Sequence, residues 1–194
     1  MGIRSFLAFR LPREIGQVVT DISGKLRKTP LRVRWVKPEN IHLTMVFLGS
    51  IRPEHLDAVQ EQTGAVCEGH QPFNIKLQGM GIFGNRRHPR ILWLGLDGDL
   101  RRMGVFRDKL QQSLQPFGIQ TEKRAFNPHL TLGRFRKDTR ASEDLDGLMR
   151  KYEHLTSPLC TLDRLVLFRS DLKPDGAVYT EMATWPLIRK PVKI

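Results

Sequence analysis

Apolar residues recur along the chain at two periods, and the switches between them mark out its elements. Residues 5–11 form a short apolar run closed by Pro12, the pattern of a strand. From residue 12 to 26, Ile15, Val18, Val19 and Ile22 fall at helical spacing. Residues 33–36 suggest another strand, and Lys37-Pro38-Glu39-Asn40 a turn leading into a strand that starts at Ile41. Residues 53–67 predict a second helix with Leu56, Val59, Ala65 and Val66 inward, and residues 73–77 a half-exposed strand. The second half retraces this order. A strand over 91–96 leads to a helix over 100–114 with Met103, Phe106, Leu110 and Leu114 on one face, then to a strand after Phe126-Asn127-Pro128. A helix over 142–152, capped by Ser142, precedes two strands at 160–168 and 177–185 joined by a turn at 173–176. The order strand, helix, strand, helix, strand therefore occurs twice, which predicts two similar lobes, about 1–85 and 86–194, related by an approximate twofold around a shared cleft.

The third element of each half carries the same letters. Ile41-His42-Leu43-Thr44-Met45 in the first is matched by Pro128-His129-Leu130-Thr131-Leu132 in the second, the histidines lying 87 positions apart. Residues i and i+2 of a strand share a face. Each copy thus presents a His and a Thr together and sends Leu43 and Met45, or Leu130 and Leu132, to the core. Two such strands facing each other would supply two imidazoles and two hydroxyls, which suits acid/base chemistry on a phosphate. A third His-Leu-Thr, at His154, follows a charged helical stretch and runs into Ser157-Pro158, so it reads as a surface helix end.

Composition narrows the partner. The 194 residues carry 32 Lys and Arg against 20 Asp and Glu, a formal charge of +12 that favours a polyanion, RNA or DNA, over a membrane. The basic stretch Arg86-Arg87-His88-Pro89-Arg90 is the natural place to hold a nucleic-acid backbone. The two cysteines, Cys67 and Cys160, lie far apart without metal-ligand spacing, which fits a reducing cytoplasm. The opening residues lead straight into a strand-like run and no 18-residue apolar span occurs, so neither export nor membrane insertion is expected.

Other chemistries find less support. Gly79-Met80-Gly81-Ile82-Phe83-Gly84 matches the dinucleotide fingerprint, but that motif requires a helix immediately after it, and here a basic loop and a strand follow. Zinc would need a third ligand near one of the motifs; His55, His70 and His88 are scattered and read as surface residues. No Gly-x-Ser-x-Gly elbow and no carboxylate pair accompanies the histidines. A binding module that only grips RNA would need no imidazoles, and an enzyme acting on a cyclic nucleotide or an ADP-ribose cyclic phosphate would keep the same site.

The doubled His-Leu-Thr motif, the Arg34-Trp35-Val36 lead-in with Pro38 and Asn40, the Phe126-Asn127-Pro128 lead-in to His129 and the segment from Gly176 to Tyr179 resemble the two-histidine phosphoesterase superfamily. More narrowly, the chain resembles its RNA 2′,3′-cyclic phosphodiesterases, the LigT or 2′-5′ RNA ligase family, over essentially its full length. The resemblance implies one α+β domain over 1–194, bilobal and duplicated. Antiparallel sheets would face a central cleft with helices outside, and strands could be exchanged between lobes. It implies hydrolysis of a 2′,3′-cyclic phosphodiester on RNA to a 2′-phosphate and leaves reversible 2′-5′ ligation open. No metal, cofactor or obligatory protein partner is implied. Carried over by position, His42 corresponds to the proton donor and His129 to the proton acceptor. Thr44 and Thr131 would bind the phosphate oxygens, and Arg134 could add a guanidinium.

Overall fold

The computed structural model describes residues 2–136, 143–174 and 176–188. It is an α+β fold of two sheets in which every strand pairing is antiparallel. In chain order the elements are β1 (Ile3–Phe9), α1 (Arg13–Leu26), β2 (Val33–Trp35), β3 (Leu43–Ile51), α2 (Leu56–Glu68), β4 (Phe73–Gly84) and β5 (Pro89–Gly98). Then come α3 (Leu100–Leu114), β6 (His129–Phe135), α4 (Glu143–Lys151), β7 (Cys160–Leu162), β8 (Arg164–Lys173) and β9 (Gly176–Pro186). One sheet has the order β3-β1-β8-β9 and the other β2-β6-β5-β4-β7. Each sheet therefore takes strands from both halves of the chain, and β3 and β6, which carry the two motifs, lie in different sheets and come into contact with each other.

Helix α3 buries the predicted stripe of Met103, Phe106, Leu110 and Leu114 completely, and α1 buries Ile15, Val19, Ile22 and Leu26. These stripes join Leu7, Leu43, Leu92, Leu94, Leu130 and Leu165 in one core. A second, smaller cluster of Phe6, Ala8, Val166 and Phe168 covers the other face of the first sheet. Strand β1 is thus apolar on both faces, which is why it appears in the sequence as a continuous run rather than an alternation.

Three expectations need correction. The stretch 53–67 is a 3-10 turn, Pro53–His55, followed by α2, and the buried side of α2 runs through Val59, Thr63 and Cys67 while Ala65 is exposed. The strand expected over 160–168 is two strands in different sheets. Two successive polar residues, Asp163 and Arg164, break its alternation there, and the chain passes from one sheet to the other. His55 and His70 are half-buried against Phe117 and Phe106, whereas His88 and His154 are exposed as expected. The cap assigned to Ser142 lies outside the described residues.

The glycine-rich run forms no nucleotide loop. It is the second half of β4, hairpinned onto β5 with register shifts between Leu77 and Met80 and between Phe83 and Gly84. Gly79 (φ +67°) and Gly84 (φ +97°) adopt left-handed backbone at those irregularities. At Gly81 a Cβ would come within 2.3 Å of the Trp93 indole, so the ring needs a glycine beneath it.

Candidate active site

Both histidines are held by the same local device. His42 Nδ1 lies 2.8 Å from the Asn40 carbonyl oxygen, and His129 Nδ1 lies 2.8 Å from that of Asn127. A carbonyl can only accept, so in each neutral ring Nδ1 carries the hydrogen and Nε2 keeps its lone pair. The lead-in turn also anchors the first copy sideways, because Asn40 Nδ2 donates to the Ala177 carbonyl at the start of β9 (2.9 Å). The letters Asn-x-His-Leu-Thr, common to both copies, thus specify a ring orientation as well as a strand face.

The surroundings of the rings differ. His42 stacks on Phe6 (4.6 Å between centroids, 23° between planes) and meets Tyr179 edge-on at 5.3 Å. His129 takes the edge of Phe83 at 4.7 Å and has Trp93 at 6.4 Å. Desolvation by these rings pushes both imidazoles below the ordinary histidine pKa, partly opposed by the carbonyl hydrogen bonds, and at His129 the Arg134 charge lowers the value further. Tyr179 is pushed up by desolvation, against the pull of Arg134 and Arg4, so its hydroxyl keeps its proton. Arg134 of β6 therefore acts on both His129 and Tyr179, and Tyr179 touches His42, which connects the two motifs electrostatically across the junction of the sheets.

One residue after each threonine, both strands carry a bulge. Ala8 pairs with Thr44 but Leu7 with Val46, leaving Met45 extra; Trp93 pairs with Thr131 but Leu92 with Gly133, leaving Leu132 extra. A single inserted residue reverses the alternation beyond it. Phe47 and Arg134, each third after its threonine, consequently share the threonine's face. Arg134, which simple alternation would have sent toward the core side, is exposed beside Thr131. Phe47 is 70 % exposed, with its ring 6.3 Å from Phe6.

Two further groups escaped the sequence reading. Arg34 of β2 pairs directly with Arg134 across the ladder, so two exposed guanidiniums stand side by side on one face, neither with an acidic partner among the described residues. The lead-in Arg34-Trp35-Val36 contained the arginine, but only strand pairing shows which residue it opposes. The aromatic bed under His42 comes from β1, β8 and β9, too distant in sequence for any local signal. In the basic stretch, Arg86 is bound to Asp146 of α4 at 2.9 Å, leaving Arg87 and Arg90 exposed at the β4–β5 hairpin. Among the described residues no three His, Cys, Asp or Glu side chains are grouped to hold a metal ion, and no helix is long and apolar enough to cross a membrane.

The fold and sequence have clear relatives. A curated RNA 2′,3′-cyclic phosphodiesterase of Methanothermobacter thermautotrophicus is 31% identical over 96% of this chain and 100% of its own length. The crystal structure of TT0787 of Thermus thermophilus is similar with a TM-score of 0.80 at 25% identity, covering 95% of this chain and 98% of that one. That of E. coli LigT complexed with 3′-AMP shares the fold with a TM-score of 0.77 at 23% identity, covering 97% and 100%. The sequence model of the 2′-5′ RNA ligase superfamily matches residues 12–174, through both His-Leu-Thr strands, and the chain belongs to that superfamily.

Proposed function

We propose that the chain opens 2′,3′-cyclic phosphodiesters at RNA ends to 2′-phosphates without a metal, using His129 to activate water and His42 to protonate the departing 3′-oxygen. The observation that carries this reading is the pair of identically locked imidazoles, each with a free Nε2 lone pair and a threonine on the same strand face. In-line attack on phosphorus needs a base on one side and an acid on the other, and two histidines supply both. Both rings are neutral in the free protein near pH 7, because their pKa values lie below the ordinary one. A bound phosphate anion favours the charged form of a nearby imidazole and so draws a proton onto one ring. Thr44 and Thr131 donate to the non-bridging oxygens as charge builds there, and Arg134 adds a guanidinium beside Thr131. The curated relatives are named RNA 2′,3′-cyclic phosphodiesterases, which supports the cyclic phosphodiester as the substrate.

The test is turnover of a panel of 2′,3′-cyclic mononucleotides and cyclic-phosphate-ended RNA in excess EDTA, with the product phosphate located by NMR. The expected product is the 2′-phosphate, at a rate unchanged by chelator. Loss of activity in EDTA with recovery on zinc or magnesium, or a 3′-phosphate product, would overturn the reading. Binding of the RNA without turnover would leave only a clamp.

A further inference from the structure

His42 and His129 are locked alike, but the segments that deliver them are built differently. Before His42 the chain makes the 3-10 turn Pro38–Asn40, in which Asn40 N donates to the Lys37 carbonyl oxygen (2.8 Å) and Ile41 N to that of Pro38 (3.1 Å). Before His129, residues 119–128 form neither helix nor strand. Side chains of α3 catch this stretch instead. The Glu122 amide donates to Gln111 Oε1 (3.0 Å), and Arg107 Nη1 donates to the Arg124 carbonyl oxygen (3.4 Å). The Arg107 guanidinium also lies over the Phe126 ring, 5.0 Å from its centre. Phe126 precedes Asn127, whose carbonyl holds His129 Nδ1.

Met103, Arg107 and Gln111 follow one another at four-residue spacing on α3, so they share a face. Met103 is fully buried, and Arg107 and Gln111 are only 9% and 3% exposed. The buried face of α3 thus turns polar where the lead-in to His129 crosses it. A buried arginine is rare and needs a partner. Here its fork donates twice to the Asp108 carboxylate, at 2.9 and 2.6 Å, which balances the charge. A methionine would fill the same space without burying a charge, so packing alone does not call for an arginine. What the guanidinium adds is direction, because one rigid plane meets a carbonyl oxygen and a ring face together. We infer that Arg107 is a positioning residue for His129: from α3 it fixes Phe126, and through Phe126 the Asn127 carbonyl that sets the orientation and tautomer of the imidazole, while Gln111 holds the same segment one turn along. This rests on the reading of His129 as the base. A neutral imidazole that loses its carbonyl partner is free to carry its hydrogen on Nε2, and a protonated Nε2 cannot take a proton from water.

The experiment measures kcat and KM on a 2′,3′-cyclic phosphate for Arg107→Met, alone and combined with His129→Ala or His42→Ala, together with the ring-nitrogen NMR spectrum of His129. Arg107→Met should lower kcat by roughly 10- to 100-fold with KM within about twofold of wild type, the pattern of a displaced catalytic group. In the His129→Ala background the change should cost nothing more, since there is no ring left to position, whereas in the His42→Ala background it should multiply the loss. The spectrum should show hydrogen on Nδ1 alone in wild type and shared between Nδ1 and Nε2 in the variant. Phe126→Leu, which removes the ring face but stays apolar, should show the same pattern and carries the test if Arg107→Met does not fold. Wild-type kcat in both variants, a rise in KM alone, or an equal further loss in the two histidine backgrounds would overturn the inference, the last because it marks a general loss of structure. If wild type turns over no cyclic phosphate, the functional reading fails by itself and the His129 tautomer decides the positioning role: hydrogen kept on Nδ1 in both variants would overturn it.

Discussion

His42 and His129 are each tied through Nδ1 to the carbonyl two residues earlier, so orientation and tautomer are set by the backbone before substrate arrives. Their depressed pKa values have a consequence for pH dependence. The ratio kcat/KM reports groups of the free protein, and its bell is centred between the pKa values of the acid and the base. With both rings below the ordinary histidine value of about 6.5, the maximum of kcat/KM should lie on the acid side of pH 6.5 and fall toward pH 8. The maximum of kcat should lie higher, since the bound phosphate anion favours imidazolium. A kcat/KM optimum above pH 7 would exclude this pair as the titrating groups. The histidines and threonines could be found in the sequence because a period of two needs only neighbours. Arg134 could not be assigned to either face, since a bulge inserts one residue and leaves no compositional mark. Tyr179 and Phe6 reach His42 only through pairing across the whole chain.

At the level of elements, β2 against β6 decides how much positive charge faces the site. The close approach depends on Gly133, where a Cβ would lie 2.4 Å from Val33 Cγ1 and 3.0 Å from the Arg34 carbonyl oxygen. Gly133→Ala should destabilise the fold by roughly 1–3 kcal/mol, as overpacking does, which thermal or urea unfolding would measure; unchanged stability would mean that β2 can move aside freely. The Arg34–Arg134 pair places like charges opposite one another, an arrangement that is unfavourable until an anion lies between them. Replacing Arg34 by Ala, or Arg87 and Arg90 together by Ala, should weaken RNA binding and flatten its salt dependence by about one counterion per cation lost. An unchanged slope would return those side chains to ordinary solvated surface. Helical stripes and hairpin turns were legible from spacing, as α3 demonstrates. The split at Asp163 was not, because β7 and β8 each satisfy local strand patterning and only their partners in separate sheets distinguish them.

In the whole molecule, two sheets sharing strands from both halves of the chain bring β3 and β6 to one junction. The repeated order of elements made such a meeting predictable, although the division of strands between sheets follows from pairing alone. The central claim is that two imidazoles, each on its own side of phosphorus, carry out the proton transfers unaided. The most direct measurement is the single-turnover rate in EDTA of wild type, His42→Ala and His129→Ala on a 2′,3′-cyclic phosphate and on its 3′-thio analogue, whose thiolate departs without a proton. On the natural substrate each variant should lose on the order of 10²- to 10⁴-fold. On the thio analogue His42→Ala should recover much of its rate while His129→Ala stays slow. Rescue of His129→Ala alone would reverse the two roles, and equal rescue of both, or a near-wild-type rate for either variant on the natural substrate, would contradict the account.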